Sequence, residues 1–277
     1  MPSPKTAHPR FGFKVVDRAR AEASPMVERA LAEGRPIEIG LYFENADCRA
    51  YLRDTLAGAA IPVTVHLDHR RLSLVRLSRA SELLDEQLSA AATLGARRVL
   101  THIAPYPLTP SRHRWPALWG QLTEWLSRLD RRAAEHGLGL LIENTFHSLG
   151  FYRDFAAVVL AAAGPDTGLC FDIGHAKVWS DTTLAAWLGF LAEVDNAGRP
   201  LHCHLHANDG LYDRHLSFAD AERDGLTVPD SFTGTLDGFA ALAAIDVALP
   251  MADKIFEVPP EQALTNLDLI LTRLAEV

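Results

Sequence analysis

Histidine and acidic residues close six successive apolar runs of this chain. Each run is short and rich in aliphatic residues, and the side chain at its end can exchange a proton or bind a cation. In chain order these residues are His66, His102, Glu143, Asp172, His206 and Glu257. Imidazole and carboxylate ligands together suit a divalent cation such as Mn²⁺, Co²⁺, Mg²⁺ or Zn²⁺. If the fold gathers the ends of these runs, we expect them to form a metal site.

Three further candidate ligands follow two of these residues along the chain. His175 stands three residues after Asp172, and Asp213 and His215 form an Asp-x-His pair after His206. These side chains could complete a second metal position or hold a substrate hydroxyl. Without a cation, carboxylates in a buried pocket would repel one another, so either their pKa values rise or a metal balances their charge. We predict one to three divalent ions per chain.

The other histidines are assigned to structural roles. His69 and His147 are expected to be ordinary hydrogen-bonded residues. His202 and His204 share one face of a predicted strand with His206 but lie deeper in it. We expect them to pack beneath the site or to support its ligands.

Eight short apolar runs alternate with amphipathic stretches of helical length, which is typical of βα units around a parallel sheet. The runs span residues 11–16, 37–43, 62–67, 97–103, 138–144, 168–173, 201–207 and 254–258. Helical periodicity is clear at 81–93, 118–135 and 184–195, and Gly95, Gly137, Gly164 and Gly198 are expected to cap helices. Eight units predict a single (β/α)8 TIM barrel, whose strand ends meet at one mouth. An open doubly wound sheet is the alternative, disfavoured because no Gly-rich phosphate turn follows the first strand.

Length and composition limit the classes of function. The 277 residues are close to the ~250 of one closed barrel, so we expect residues 1–10 to form a flexible tail and residues 11–277 the catalytic domain. A net charge of −8 provides no overall basic field, which disfavours nucleic acid as a partner. No apolar run is long enough to cross a bilayer. Cys48, Cys170 and Cys203 lack CxxC spacing and no secretory signal is visible, which predicts a cytoplasmic protein.

Four segments carry a resemblance to a known family. LLIENT, GLCFDIGHA, HLHANDGLYDRHL and FEV resemble the xylose isomerase-like TIM barrel superfamily, which includes sugar phosphate isomerases and epimerases and endonuclease IV of AP endonuclease family 2. The resemblance implies that the metal ligands of the epimerase branch are Glu143, Asp172, His206 and Glu257, with His175 contacting substrate or a second metal. The endonuclease IV branch holds three zinc ions, and this chain has a residue at every matching position: His66, His102, Glu143, Asp172, His175, His206, Asp213, His215 and Glu257.

Departures from the repair enzymes favour a small substrate. The second run passes into a helix without the long loop that such enzymes insert into the duplex, and the first run lacks their histidine. After His215, residues 216–234 replace the usual turn of the family and predict a substrate-specific lid. The replacement also leaves the geometry of Asp213 and His215 open.

Our first functional prediction is a divalent-metal-dependent sugar or sugar phosphate isomerase or epimerase. A metal would stabilise the enediolate formed during proton transfer, with Glu143 and Glu257 as base and acid. His175 and Arg214 would orient substrate oxygens. A phosphate group on the substrate would match a basic rim, although surface ion pairs explain the same residues equally well. The rim residues are Arg70, Arg71, Arg76, Arg79, Arg112 and Arg114.

The alternative is a multinuclear-metal phosphodiesterase resembling endonuclease IV. The complete set of nine matching residues favours it, whereas the short loops and the net acidity disfavour a duplex substrate. An oxidative iron enzyme and a barrel that binds a ligand without chemistry also stay open. A homo-oligomer is compatible with the sequence.

Overall fold

The barrel predicted from the alternating pattern is present. A computed structural model describes residues 8–79, 81–179, 182–224 and 238–276. Within these residues, eight parallel strands close into one barrel, each pairing with the next and the last with the first. The strands are β1 (Phe11–Val16), β2 (Ile37–Gly40), β3 (Val63–His66), β4 (Arg98–His102), β5 (Gly139–Glu143), β6 (Thr167–Asp172), β7 (Leu201–Leu205) and β8 (Asp253–Phe256). This closure excludes the open sheet.

Helices occupy the connections between the strands. They are α1 (Arg20–Glu33), α2 (Ala46–Leu56), α3 (His69–Leu72), α4 (Ser81–Thr93), α5 (Trp115–Glu135), α6 (Leu149–Val158), α7 (Ile173–Trp179), α8 (Leu184–Asn196), α9 (Phe218–Arg223), α10 (Gly238–Ala248) and α11 (Ala263–Leu274). Short 3₁₀ helices lie at Leu74–Arg79, Arg112–Arg114, Leu160–Ala162 and Pro260–Gln262. None of the described helices combines the length and apolar character needed to span a membrane.

Local signals at the helix ends explain where several helices start and stop. Asn45 accepts a hydrogen bond from the Cys48 backbone N–H at 3.0 Å and caps α2. Gly95, Gly137 and Gly198 adopt positive φ after α4, α5 and α8, as predicted. The prediction for Gly164 is wrong, because α6 ends at Val158 and a 3₁₀ turn follows it. The backbone N–H of Gly164 instead donates to Asp130 Oδ2 at 3.0 Å.

The second strand is shorter than predicted. It ends at Gly40, so Tyr42 and Phe43 belong to the following loop. The cause is the buried carboxylate of Asp17, whose Oδ1 accepts the backbone N–H groups of Tyr42 and Phe43 at 2.7 and 2.8 Å. These hydrogen bonds replace strand pairing and turn the loop across the barrel mouth.

The barrel interior is unusually polar beneath the mouth. Glu38 on β2 contacts Lys14 on β1 and both His202 and His204 on β7. Barrel interiors are more commonly filled by branched aliphatic side chains. Here an apolar cluster of Leu100, Leu141 and Cys170 fills part of the interior. Charge is therefore built into the barrel directly under the strand ends.

Two predicted segments extend outside the described residues. Residues 1–7 of the predicted tail lie outside them, and nearby His8 and Arg10 contact Asp246 and Asp253 at 2.7 and 2.8 Å. Of the predicted lid at 216–234, residues 225–234 lie outside the described part of the chain. The described part of the lid contains α9, capped by Ser217.

Candidate metal centre

Glu143, at the end of β5, lies at the centre of the barrel mouth. Its Oε2 lies 3.2 Å from Nε2 of His66 and 3.2 Å from Nε2 of His102, at the ends of β3 and β4. Its Oε1 lies 3.0 Å from Nδ1 of His175. The carboxylate is fully enclosed, with 1 % of its side chain exposed. The first donor group is therefore His66, His102 and Glu143.

Asp172 and His206 form a second group beside the first. Asp172 ends β6, and its Oδ1 accepts the backbone N–H of His175 at 2.6 Å and lies 3.3 Å from Nε2 of His206. Glu257 follows β8 and reaches the same region, with its Oε2 3.4 Å from Nδ1 of His215. Asp172 Oδ2 has no hydrogen-bond partner among the residues that the structure describes.

Asp213 joins two histidines into a third group. Its Oδ2 lies 3.2 Å from Nε2 of His175 and 2.9 Å from Nε2 of His215. The loop that carries it is closed by a bridge in which Ala207 and Leu216 exchange backbone hydrogen bonds of 2.8 and 2.9 Å. His215 adopts a backbone φ of +47°, which residues other than glycine seldom do. Asp213 and His215 therefore lie at the mouth, although residues 216–234 replace the turn expected after His215.

Gly174 gives His206 the space that its ring occupies. A Cβ at Gly174 would overlap the His206 imidazole, so only glycine fits between Asp172 and His175 without displacing that ring. The D-I-G-H segment therefore places a candidate ligand on each side of the glycine and leaves space for the ring of a third, His206. All nine sequence-predicted ligand positions converge at the mouth.

Charges at the mouth are balanced by protonated imidazoles. Burial alone would raise the pKa of Glu143, but His102 and His204 hold it well below its ordinary value. The pKa of His204, which burial would lower, is raised to about 9 by Glu38 and Glu143. The pKa of His175 is also raised, against burial, mainly by Asp172. Burial and Lys14 lower the pKa of His66 to about 4, which keeps that ring neutral.

The donor spacing fits divalent cations. Ligands of a tetrahedral ion at bond lengths near 2.1 Å lie about 3.4 Å apart, and the imidazole–carboxylate contacts above fall between 2.9 and 3.4 Å. Asp213 Oδ1, like Asp172 Oδ2, is buried without a hydrogen bond from any described residue. A protein interior tolerates such oxygens when a cation or another polar group satisfies them. The chemistry and spacing of the residues therefore fit a metal centre.

Sequence reasoning missed two residues of the mouth. His69, assigned to a structural role, stacks on His102 with ring centroids 4.1 Å apart and lines the cavity. Its position three residues after His66 was the available signal. Lys14 pairs with both Glu257 and Glu38, the latter at 3.2 Å, and also lines the cavity. Nothing in its sequence context distinguishes it from a surface lysine.

Two arginines of the predicted basic rim form ion pairs with a neighbouring aspartate. Arg70 and Arg71 form ion pairs with Asp68 at 3.0 and 2.6 Å, which supports the surface-pair interpretation for these two residues. Among the described arginines, those lining the cavity are Arg18 and Arg214. Arg214, predicted to bind substrate, also pairs with Asp209 at 3.1 Å.

Comparisons with known proteins agree with the fold. The family model described as xylose isomerase-like TIM barrel matches residues 25–239. The TTHB071 protein from Thermus thermophilus, from a crystal soaked with ZnCl₂, is 25 % identical with a TM-score of 0.70, over 97 % of this chain and 99 % of that one. No curated protein sequence matches this chain.

Sugar epimerases share the fold at lower identity. A D-tagatose 3-epimerase-like protein is 16 % identical with a TM-score of 0.66, over 96 % of this chain and 98 % of that one. The 3-keto-D-glucoside 4-epimerase YcjR from E. coli is 13 % identical with a TM-score of 0.62, over 95 % of this chain and 99 % of that one. At these identities the likeness is one of fold.

Proposed function

This chain belongs to the xylose isomerase-like TIM barrel family, and we propose that it is a multinuclear-metal enzyme that hydrolyses phosphate diesters. The catalytic domain that we propose spans residues 11–277. Its cysteines are free and buried, which fits the reducing cytoplasm that we propose as its location. The substrate is a small molecule, because the cavity at the mouth has a volume of about 490 Å³.

Three adjacent donor groups would hold the ions. The first comprises His66, His102 and Glu143, the second adds Asp172, His206 and Glu257, and the third comprises His175, Asp213 and His215. Divalent cations bound there would polarise a phosphoryl oxygen and lower the pKa of water. Nε2 of His66 and Nε2 of His102 both lie beside Glu143 Oε2. In the same way, Nε2 of His175 and Nε2 of His215 both lie beside Asp213 Oδ2.

Positive side chains at the cavity suit an anionic substrate. Lys14 lies on the cavity floor between Glu38 and Glu257, and Arg214 lies at its edge. An ammonium and a guanidinium in these positions can hold phosphoryl oxygens and keep the diester oriented. Water adds to phosphorus, the bond to one ester oxygen breaks, and that oxygen leaves as an alcohol after taking a proton.

Four residues outside the single-metal set distinguish the two functions. His66, His102, Asp213 and His215 each lie 3.2 to 3.6 Å from a ligand that a single-metal isomerase would use, namely Glu143, His206 or Glu257. A single cation does not need them. Glu143 is also enclosed by imidazole rings, so it is poorly placed to take a proton from a substrate carbon.

A sugar isomerase or epimerase is the second candidate. It is favoured by the fold shared with epimerases and by the set of Glu143, Asp172, His206 and Glu257. In this function Glu143 and Glu257 would move protons at a substrate carbon through an enediolate, while His175 and Arg214 orient its hydroxyl or phosphate oxygens. The substrate would be a sugar or sugar phosphate.

The two functions separate in one pair of assays. We expect protein loaded with Zn²⁺ or Mn²⁺ to release p-nitrophenol from bis(p-nitrophenyl) phosphate, and His102→Ala to lose at least about 100-fold of this rate. His113→Ala, at an exposed position, is the matched control. Absence of release, together with deuterium exchange into D-fructose that Glu257→Gln abolishes, would establish the second candidate instead.

A further inference from the structure

The cavity at the mouth has two chemically different walls. The donor groups form one wall, built from the ends of β3 to β7 and from Glu257 after β8. The opposite wall is largely apolar and comes from the ends of β1, β2 and β8 and the loops that follow them. Its members are Val16, Tyr42, Phe43, Val258, Pro259 and Pro260. Because β8, β1 and β2 are neighbours in the closed barrel, this apolar wall is continuous.

Asp17 holds the apolar wall in a fixed shape. Its side chain is fully buried and accepts the backbone N–H groups of Tyr42, Phe43 and Glu44 at 2.7, 2.8 and 3.1 Å. It also accepts Arg49 Nε at 2.7 Å. Four hydrogen bonds to one buried carboxylate are a strong constraint on a loop. The position of Phe43 is therefore set before any ligand arrives.

Phe43 keeps an aromatic ring half exposed at the cavity. Its relative exposure is 50 %, and the guanidinium of Arg18 lies 5.7 Å from its ring centroid. Lys14 lies 5.7 Å from the ring centroid of Tyr42 on the same wall. Aromatic rings bordered by cations offer stacking and cation–π contacts to a flat ligand group and charge contacts to an anion attached to it.

We propose that the apolar wall binds a planar aromatic group attached to the scissile phosphate. The substrate class is then an aromatic or nucleotide-like phosphate diester, with the phosphoryl group against the donor wall and the ring against Phe43. This inference rests on the proposed phosphodiester function. A sugar without an aromatic substituent has no planar ring to stack on Phe43, whereas an aromatic group can lie flat against Val258, Pro259 and Pro260.

Calorimetric binding of two phosphonates to the Zn²⁺-loaded protein tests the wall without requiring turnover. Phenylphosphonate and methylphosphonate share the anionic group and differ in the ring. We expect phenylphosphonate to bind about tenfold more tightly. The Phe43→Ala variant should lose most of this preference, and Phe43→Leu should lose part of it. Tyr106→Ala removes an aromatic ring that is 49 % exposed but does not belong to the wall, so it should keep the preference.

Failure of this inference is distinguishable from failure of the proposed function. Equal affinity for the two phosphonates, binding of neither, or a preference that survives in Phe43→Ala with its thermal midpoint unchanged would overturn the aromatic wall. Hydrolysis of bis(p-nitrophenyl) phosphate together with equal affinities would overturn aromatic binding by the wall but leave the proposed phosphodiester function standing. A preference for phenylphosphonate that depends on Phe43, without any hydrolysis of the diester, would support aromatic binding by the wall and contradict the proposed phosphodiester function.

Discussion

Glu38 Oε2 accepts a hydrogen bond from His204 Nε2 at 2.9 Å and thereby sets the direction of that imidazole. The opposite nitrogen of the ring, Nδ1, lies 3.3 Å from both Glu143 and Glu257. Burial alone would raise the pKa of Glu38, but His204 and Lys14 hold it well below its ordinary value. An anionic carboxylate deep in the barrel therefore supports the carboxylates that we propose as metal ligands.

The first prediction concerns this support. Replacing Glu38 by Gln removes the charge that orients His204 and Lys14, and we expect Zn²⁺ affinity to fall about tenfold or more. Competition with a chromophoric chelator measures the change. Glu86→Gln is the matched control, because Glu86 also makes an ion pair but its side chain is 56 % exposed. Equal Zn²⁺ affinities for Glu38→Gln and Glu86→Gln would contradict the supporting role of Glu38.

The second prediction concerns Gly174. A methyl group there would displace the His206 ring, so Gly174→Ala should lower the number of bound metals and abolish most activity. Gly189→Ala is the control, because a Cβ at that helical position meets nothing within 4 Å. The control should be stabilised by about 0.5–1 kcal/mol. Full metal content in Gly174→Ala would show that His206 is not a ligand.

The third prediction links metal binding to pH. The pKa of His175 is raised because Asp172 and Asp213 outweigh the effect of burial, so the ring carries a proton at pH 7. A metal must displace that proton, so Zn²⁺ affinity should rise with pH and binding should release protons. Calorimetry in two buffers with different ionisation enthalpies counts them. His175→Ala should release about one proton fewer, and an unchanged count would argue against ligation by His175.

The fourth prediction concerns stability and lies away from the metal centre. Burial lowers the pKa of His147 to about 4, and its Nε2 accepts the Leu108 backbone N–H at 3.0 Å. The unfolded chain binds this proton near pH 6.5, so the stabilisation is complete above that pH and is lost as pH falls towards 4. Between pH 7.5 and 5 the loss is about 2 kcal/mol.

Urea unfolding at the two pH values checks this loss. The His147→Gln variant keeps a hydrogen-bond acceptor but cannot titrate, so its stability should fall less than that of the parent protein by about 2 kcal/mol. His113→Gln, at an exposed position, should behave like the parent. Equal pH dependence of His147→Gln and the parent would contradict the buried neutral ring.

Features of the fold that a local sequence pattern determines could be predicted, and features that depend on residues distant in sequence could not. Strand ends were predictable because period-2 apolar runs stop at His66, Glu143 and Asp172, and a closed barrel brings all strand ends to one mouth. The boundary of β2 was not, because it depends on Asp17, which is distant in sequence from the loop that it binds.

Residues whose role depends on a spatial neighbour were also missed. His69 belongs to the mouth because its ring stacks on His102, and Lys14 because it reaches Glu257 from another strand. Gly164 was predicted as a cap from its position before a strand, whereas its backbone is held by Asp130. Such contacts form only after the chain has closed into a barrel.

We propose that nine residues form a centre for three metal ions. Elemental analysis of protein reconstituted with Zn²⁺ and freed of excess metal tests it most directly. We predict about three ions per chain, and fewer in the paired variant His66→Ala/His102→Ala with its circular dichroism unchanged. One ion per chain, unaffected by that paired variant, would contradict a three-metal centre and favour the single-metal isomerase.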